Sequence, residues 1–133
     1  MAMTAEQETY LREHHLGVLA TGRKDGSPQA SLIMYDYNGA DVAISVTSDR
    51  AKYVNALRQP RVSMVVLDGR KQLILYGTAE GVDADPDRLE LTKRIRAAMG
   101  RPAEEDDATL SSQLDEAKRV ILRITPDTAF MND

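Results

Sequence analysis

A chain of 133 residues with no cysteine has room for one ordinary domain. It excludes disulfides, thiolate nucleophiles, iron–sulfur clusters and zinc ribbons together. Its net charge of −4 disfavours generic nucleic-acid binding, which needs clustered Lys and Arg to neutralise phosphates.

Hydrophobic residues make up 42%, and with one Phe and no Trp the core must come from Leu, Val, Ile, Ala and Met. The N-terminus lacks a basic region followed by an apolar run, and no segment nears the roughly 18 apolar residues of a membrane span. The expectation is a cytoplasmic protein with no membrane partner.

Thr4-Ala-Glu-Gln7 has the capping-box pattern and predicts a short helix ending near His15. Leu16 to Gly22 reads as a first strand, turned at Lys24-Asp25-Gly26. Pro28 opens a second strand, Gln29 to Tyr37. Asn38-Gly39 makes a hairpin into a third, Val42 to Thr47. Arg50 to Gln59 then changes to helical period, with Ala51, Val54 and Leu57 on one face, and Pro60 stops it. Val62 to Leu67 is a buried strand turned by Asp68-Gly69. Gln72 to Val82 is a long strand with Gly77 and Gly81 as bulges or bends. Asp85, as N-cap before Pro86, opens a helix through Met99. Gly100 and Pro102 end it. Ala103 to Ala117 reads as polar helix, Lys118 to Thr125 as the last strand, and Pro126 to Asp133 as a tail. Six strands in short hairpins hide their edges most simply by closing into a barrel. The fold class is therefore mainly β (α+β), a six-stranded antiparallel barrel in one domain, residues 1–133.

Few residues offer chemistry of their own. His14 and His15 point about 100° apart on a helix and do not form a chelating pair, so no metal site is expected. The run Glu104 to Asp107 lacks the alternating ligands of a calcium loop.

The informative segment runs from Thr47 to Asn55. There a strand ends in two hydroxyl residues and passes into a helix carrying Arg50 and Lys52 in its first turn. Cations at a helix start oppose its dipole, and a bound phosphate would resolve the conflict. The alternative is that Ser48 or Asp49 caps the helix while both cations face water. The second strand puts Gln29, Ser31, Ile33, Tyr35 and Tyr37 on one face, polar groups and tyrosines along which a flat heterocycle could lie.

The series Leu16-Gly-Val-Leu-Ala-Thr21, Asp25-Gly-Ser-Pro-Gln29, Thr47-x-x-Arg50-Ala51-Lys52, Asn55-x-x-Arg58, Pro60-Arg61-Val62 and Gly77-Thr-Ala-Glu80 resembles the split β-barrel flavoprotein superfamily that includes pyridoxamine-phosphate-oxidase-like proteins. It is most similar to the actinobacterial branch of deazaflavin (coenzyme F-420)-dependent reductases. The resemblance implies an FMN-binding type of split barrel and a homodimer with two cofactors at the interface. It also implies cofactor phosphate held by Thr47, Ser48, Arg50 and Lys52, with Asn55 supporting their loop and Ser31 along the ring. Members often have Trp where this chain has Phe130. The substrate-binding C-terminus of pyridoxamine phosphate oxidases is not recognisable, so that exact activity is not expected.

The function implied is hydride transfer between coenzyme F-420 and a small organic substrate, with Tyr35 or water as proton source. Arg58 and Arg61 are the extra cations that would favour the longer anionic tail of F-420. FMN on the same Arg50 and Lys52 is the alternative cofactor, and a non-catalytic cofactor carrier or sensor the alternative function.

Overall fold

Thr4 opens the first helix, α1 (Ala5–Glu13), through both halves of a capping box. Its hydroxyl accepts from the Gln7 N–H at 3.1 Å, and its own N–H donates to the Gln7 side chain at 2.9 Å. The helix ends before the histidines. Six strands follow in this computed structural model, which describes residues 3–132. They are β1 (Leu16–Gly22), β2 (Pro28–Tyr37), β3 (Val42–Thr47), β4 (Arg61–Asp68), β5 (Lys71–Val82) and β6 (Arg119–Asn132). Helix α2 (Ala51–Arg58) joins β3 to β4, and α3 (Asp87–Ala98) and α4 (Asp107–Glu116) join β5 to β6. Met1, Ala2 and Asp133, parts of the N-terminal and tail readings, lie outside the described residues.

The strands close in the order β1-β2-β3-β6-β5-β4, each pair antiparallel. This is the expected barrel. Alternate residues of every strand fill it: Leu19, Ile44, Met64, Leu73, Leu75 and Leu122 are almost wholly shielded, each worth about 1.5–3 kcal/mol of burial. A second cluster forms outside the wall, where Leu91 and Ile95 of α3 pack on Ala43, Val82 and Ile121. No helix among the described residues is long and apolar enough to cross a membrane.

One seam is incomplete. β2 and β3 pair only from Tyr35 to Tyr37 against Val42 to Ile44. Below that point β2 pairs with β1 alone, and Ser45 to Thr47 pair with β6 alone. The two strands part, and a cavity lies in the gap.

Several expectations need correction. The tail from Pro126 is not loose, because β6 runs on to Asn132 and pairs along β5 after a register shift at Tyr76/Gly77. Gly77 is thus the bulge foreseen. Gly81 is no bulge, for the register there is regular. Its missing side chain admits α2 instead: a Cβ would stand 2.5 Å from Tyr53 Oη and 2.8 Å from Leu57 Cδ2.

Helix α2 also presents a different face. Tyr53, Asn55 and Ala56 are buried, and Val54 and Leu57 are about half exposed. Apolar period alone misled here, because Asn55 is buried through hydrogen bonds and Tyr53 through Gly81. Asp85 does not cap α3, which starts at Asp87. Its carboxylate instead accepts from Arg88 (3.0 Å) and Ser111 (2.6 Å). The segment 103–106 is loop, and Asp106 caps α4 by accepting from the Thr109 N–H at 2.8 Å.

Candidate functional site

The parting of β2 from β3 opens a cavity of about 510 Å³, lined by β2 (Leu32, Ile33, Met34), β3 (Ser45), α2 (Lys52), α3 and its exit (Thr92, Ile95, Arg96, Met99, Arg101), Leu114 of α4 and Arg119 of β6. Its walls are apolar where Leu32, Met34, Ile95 and Met99 meet, and cationic at Lys52, Arg96, Arg101 and Arg119. No carboxylate lines it.

Elsewhere on α3 the cations have acidic partners: Arg88 with Asp85 and Asp115, Lys93 with Asp107, Arg94 with Asp36 and Asp41. Arg96 is only loosely paired, with Glu105 at 3.8 Å. Lys52, Arg101 and Arg119 enter no ion pair among the described residues. Burial pushes the Lys52 ammonium below its usual pKa, and the neighbouring charges of Arg50 and Arg119 push it further. A site that drives its own lysine toward neutrality would gain from an anion.

The residues singled out in the sequence divide among three places. Lys52 lines the cavity. Thr47 stands opposite Arg119 in the β3–β6 register, and its side chain helps hold the Asp49 carboxyl below its usual pKa. The Ser31 hydroxyl on β2 is buried with no hydrogen-bond partner. Such a group is uncommon in a finished interior. Arg50 is the exposed N-cap of α2 and makes no side-chain cap, so that helix start remains open to an anion. Ser48 is tied by its N–H to the Lys118 carbonyl (2.9 Å). It lines a separate cavity of about 380 Å³ with Tyr53, Asp83, Arg88 and Lys118.

Asn55 is held inside the barrel end. It donates to Thr21 Oγ1 at 3.3 Å and accepts from Arg58 at 2.9 Å, and Arg58 also reaches the Gly22 carbonyl. It supports the β1–α2 junction. Arg58 is therefore committed to that network, and Arg61 pairs with Asp127. Neither lines the cavity.

The tyrosine face of β2 turns inward. Ile33, Tyr35 and Tyr37 are core, and Leu32 and Met34 of the opposite face border the cavity. Tyr35 donates to the Leu11 carbonyl at 2.8 Å, and burial raises its pKa, so it is no proton donor to a substrate. Tyr37, pushed up to about 12 mainly by burial, donates to Glu8. Arg96, Arg101 and Arg119 were missed. They lie far along the chain from Lys52, and their one legible signal is that they are cations in or beside a largely acidic segment.

A six-stranded antiparallel barrel parted along one seam, with flanking helices and a cavity in the gap, is the split-barrel class. A sequence profile described as pyridoxamine 5'-phosphate oxidase matches residues 3–133, and the chain belongs to that family. Among solved structures it is similar to an F-420 reductase, with 29% identity, TM-score 0.74 and coverage of 96% of this chain and 98% of the other. A conserved hypothetical protein of Mycobacterium tuberculosis shares 23% identity, with TM-score 0.81 and coverage of 100% and 86%. A FAD-binding protein of Mesorhizobium loti shares 22%, with TM-score 0.64 and coverage of 97% and 94%. The last two show the fold alone.

Proposed function

We propose that this chain is an oxidoreductase that passes hydride between coenzyme F-420 and a small organic substrate. It acts as a homodimer with the cofactor at the interface. The observation that carries this reading is the cavity in the barrel split, which sets four cations and no carboxylate beside an apolar wall. A flat ring with an anionic tail is complementary to it. The similarity to an F-420 reductase over nearly the whole chain supports the choice.

Lys52 and Arg119 would hold the phosphoryl group, with Arg50, Thr47 and Ser48 at the same strand-to-helix corner. Leu32, Met34 and Met99 would flank the ring, and the unpartnered Ser31 hydroxyl is a donor left over for its polar edge. When bound, the deazaflavin supplies the hydride chemistry. The chain's own residues bind, orient and exclude water. With Tyr35 engaged in the core, the product's proton comes from water.

FMN is the second reading, since its phosphate suits the same Lys52–Arg119 corner. Arg96 and Arg101 tip the balance. With them the cavity holds more positive charge than one phosphate ester neutralises, which favours the longer anionic tail.

The dimer has its own support. Leu32, Val18, Val65, Ile74 and Phe130 are cross-strand partners in one outward row over β2, β1, β4, β5 and β6. Leu32 and Phe130 are 64% and 52% exposed, and a row of this kind is a surface to be covered. Leu32 belongs both to this row and to the cavity, so a second copy on the row would close the cavity.

Fluorescence titration of the purified protein with F-420 and with FMN tests the reading. Tighter binding of F-420 is expected. Binding of FMN alone would make it an FMN protein, binding without turnover of any electron acceptor would make it a carrier, and binding of neither would end the proposal.

A further inference from the structure

The same cavity contains a nucleophile that hydride chemistry does not use. Lys52 lines it with Arg96, Arg101 and Arg119, and no acid lies among the lining residues to hold its amine as a counter-ion. The chain's other lysines differ. Lys93 is paired with Asp107, and Lys71 sits 3.7 Å from Glu6 and over the Tyr10 ring. Lys24 and Lys118 are exposed, and Lys118 borders the smaller cavity, where Asp83 and Asp115 are also present.

A lysine becomes nucleophilic when burial and neighbouring cations favour its neutral form, and burial, Arg50 and Arg119 act on Lys52 in that sense. Cations that hold a phosphoryl group beside an amine also do something more particular. They place the carbon attached to that group within the amine's reach, which is catalysis by positioning.

We propose that Lys52 is an acylation site for acyl phosphates, whose phosphoryl group is held by the cavity's cations with the acyl carbon against the Lys52 amine. The Lys52 nitrogen attacks the carbonyl carbon. A carbon–nitrogen bond forms, the carbon–oxygen bond to the phosphoryl group breaks, and inorganic phosphate leaves with the electron pair. The amine proton passes to the departing phosphate or to water. Nothing is oxidised or reduced. The product amide is neutral, so the reaction removes one of the cavity's cations. Acylation and anionic-ligand binding therefore oppose each other, and an acyl phosphate would switch the site off. The proposal rests on the anion-binding reading of the cavity. It does not depend on which flavin binds there, or on turnover.

The full-length protein is treated with acetyl phosphate, and acetylation at all five lysines (24, 52, 71, 93 and 118) is followed by peptide mass spectrometry. Lys52 should react faster than Lys24 and Lys118 by about tenfold, a modest share of what positioning can supply. Inorganic phosphate should slow Lys52 alone, and acetic anhydride, which has no phosphoryl group, should show much less preference. Arg119→Gln should lower the Lys52 rate with acetyl phosphate and leave the rate at Lys24 unchanged.

Equal rates at Lys52 and Lys24, the same preference with the anhydride, or no competition by phosphate would each overturn the proposal. The phosphate competition uses the unaltered protein and so stands even if the variant folds poorly. Protection by phosphate but by neither FMN nor F-420 would reject the cofactor reading and keep this one. Tight flavin binding without preferred acetylation of Lys52 would do the reverse.

Discussion

Arg94 of α3 donates through Nε to Asp36 of β2 at 2.7 Å, and through Nη2 to Asp41 beyond the hairpin turn at 3.0 Å. The three side chains are only 13–23% exposed. This contact fixes α3 over the paired, hairpin end of β2 and β3, and α3 running on from there supplies one wall of the cavity. Replacing Arg94 with Met leaves two half-buried carboxylates without their cation. The expected loss is about 2–4 kcal/mol, near the range for breaking such pairs from one side, measured by urea unfolding. Asp36→Asn/Arg94→Met should recover part of it.

Gly81 and Tyr53 make a second test. An alanine at 81 would place its Cβ 2.5 Å from Tyr53 Oη and 3.0 Å from Cζ. Overpacking of this kind costs about 1–3 kcal/mol. Tyr53→Phe removes the nearest atom but not the ring, so the double variant should regain only part of the stability lost by Gly81→Ala. Full additivity of the two single changes would show that the helix shifts freely.

His14 ties α1 to the barrel. Its Nδ1 lies 2.6 Å from the Tyr10 carbonyl and its Nε2 3.1 Å from Asp68. Both partners are acceptors, so only the imidazolium can donate to each. Burial lowers its pKa, but the hydrogen bonds to Tyr10 and Asp68, with the charges of Asp68 and Glu13, outweigh that and leave it above 6.5. A folded pKa above the unfolded one gives stability that is complete below about 6.5 and lost as pH climbs through the folded value. The thermal midpoint should fall between pH 6 and pH 8, and His14→Gln should flatten that fall. The same slope in the variant would assign it to another group.

The barrel was legible because strand alternation and turn residues such as Asn38-Gly39 are local signals, and the Thr47-to-Lys52 corner was legible because cations at a helix start are a local anomaly. What escaped was set by contacts between distant segments. The inward turn of Tyr35 and Tyr37 follows from hydroxyl partners on α1, Leu11 and Glu8, which no pattern within β2 reveals. The continuation of β6 past Pro126 needs the bulge at Gly77 on its partner. Arg96 and Arg101 reach the Lys52 cavity only because α3 folds back across the split, and Arg119 because β6 pairs with β3.

Lys52→Ala and Arg101→Ala separate the two ends of that cation set. Loss of Lys52 should weaken FMN and F-420 alike, by about 1–3 kcal/mol for a charge-assisted hydrogen bond. Loss of Arg101 should weaken F-420 more than FMN, because only the longer tail carries anionic groups beyond the phosphate. Equal effects of Arg101→Ala on both ligands would place Arg101 outside the tail's path.

Val65 lies at the middle of the outward apolar row, between Val18 and Ile74. In a twofold dimer each subunit offers the same patch to the other, so a charge at the centre of the row meets its own copy across the axis. Val65→Asp should convert the proposed dimer to monomer in sedimentation equilibrium with the barrel still folded by circular dichroism. Since Leu32 is shared between this row and the cavity, the same variant should also weaken cofactor binding, and raising the protein concentration should restore part of it. A monomeric wild type would remove this interface, and a monomeric variant with undiminished affinity would show that one copy suffices to hold the ligand.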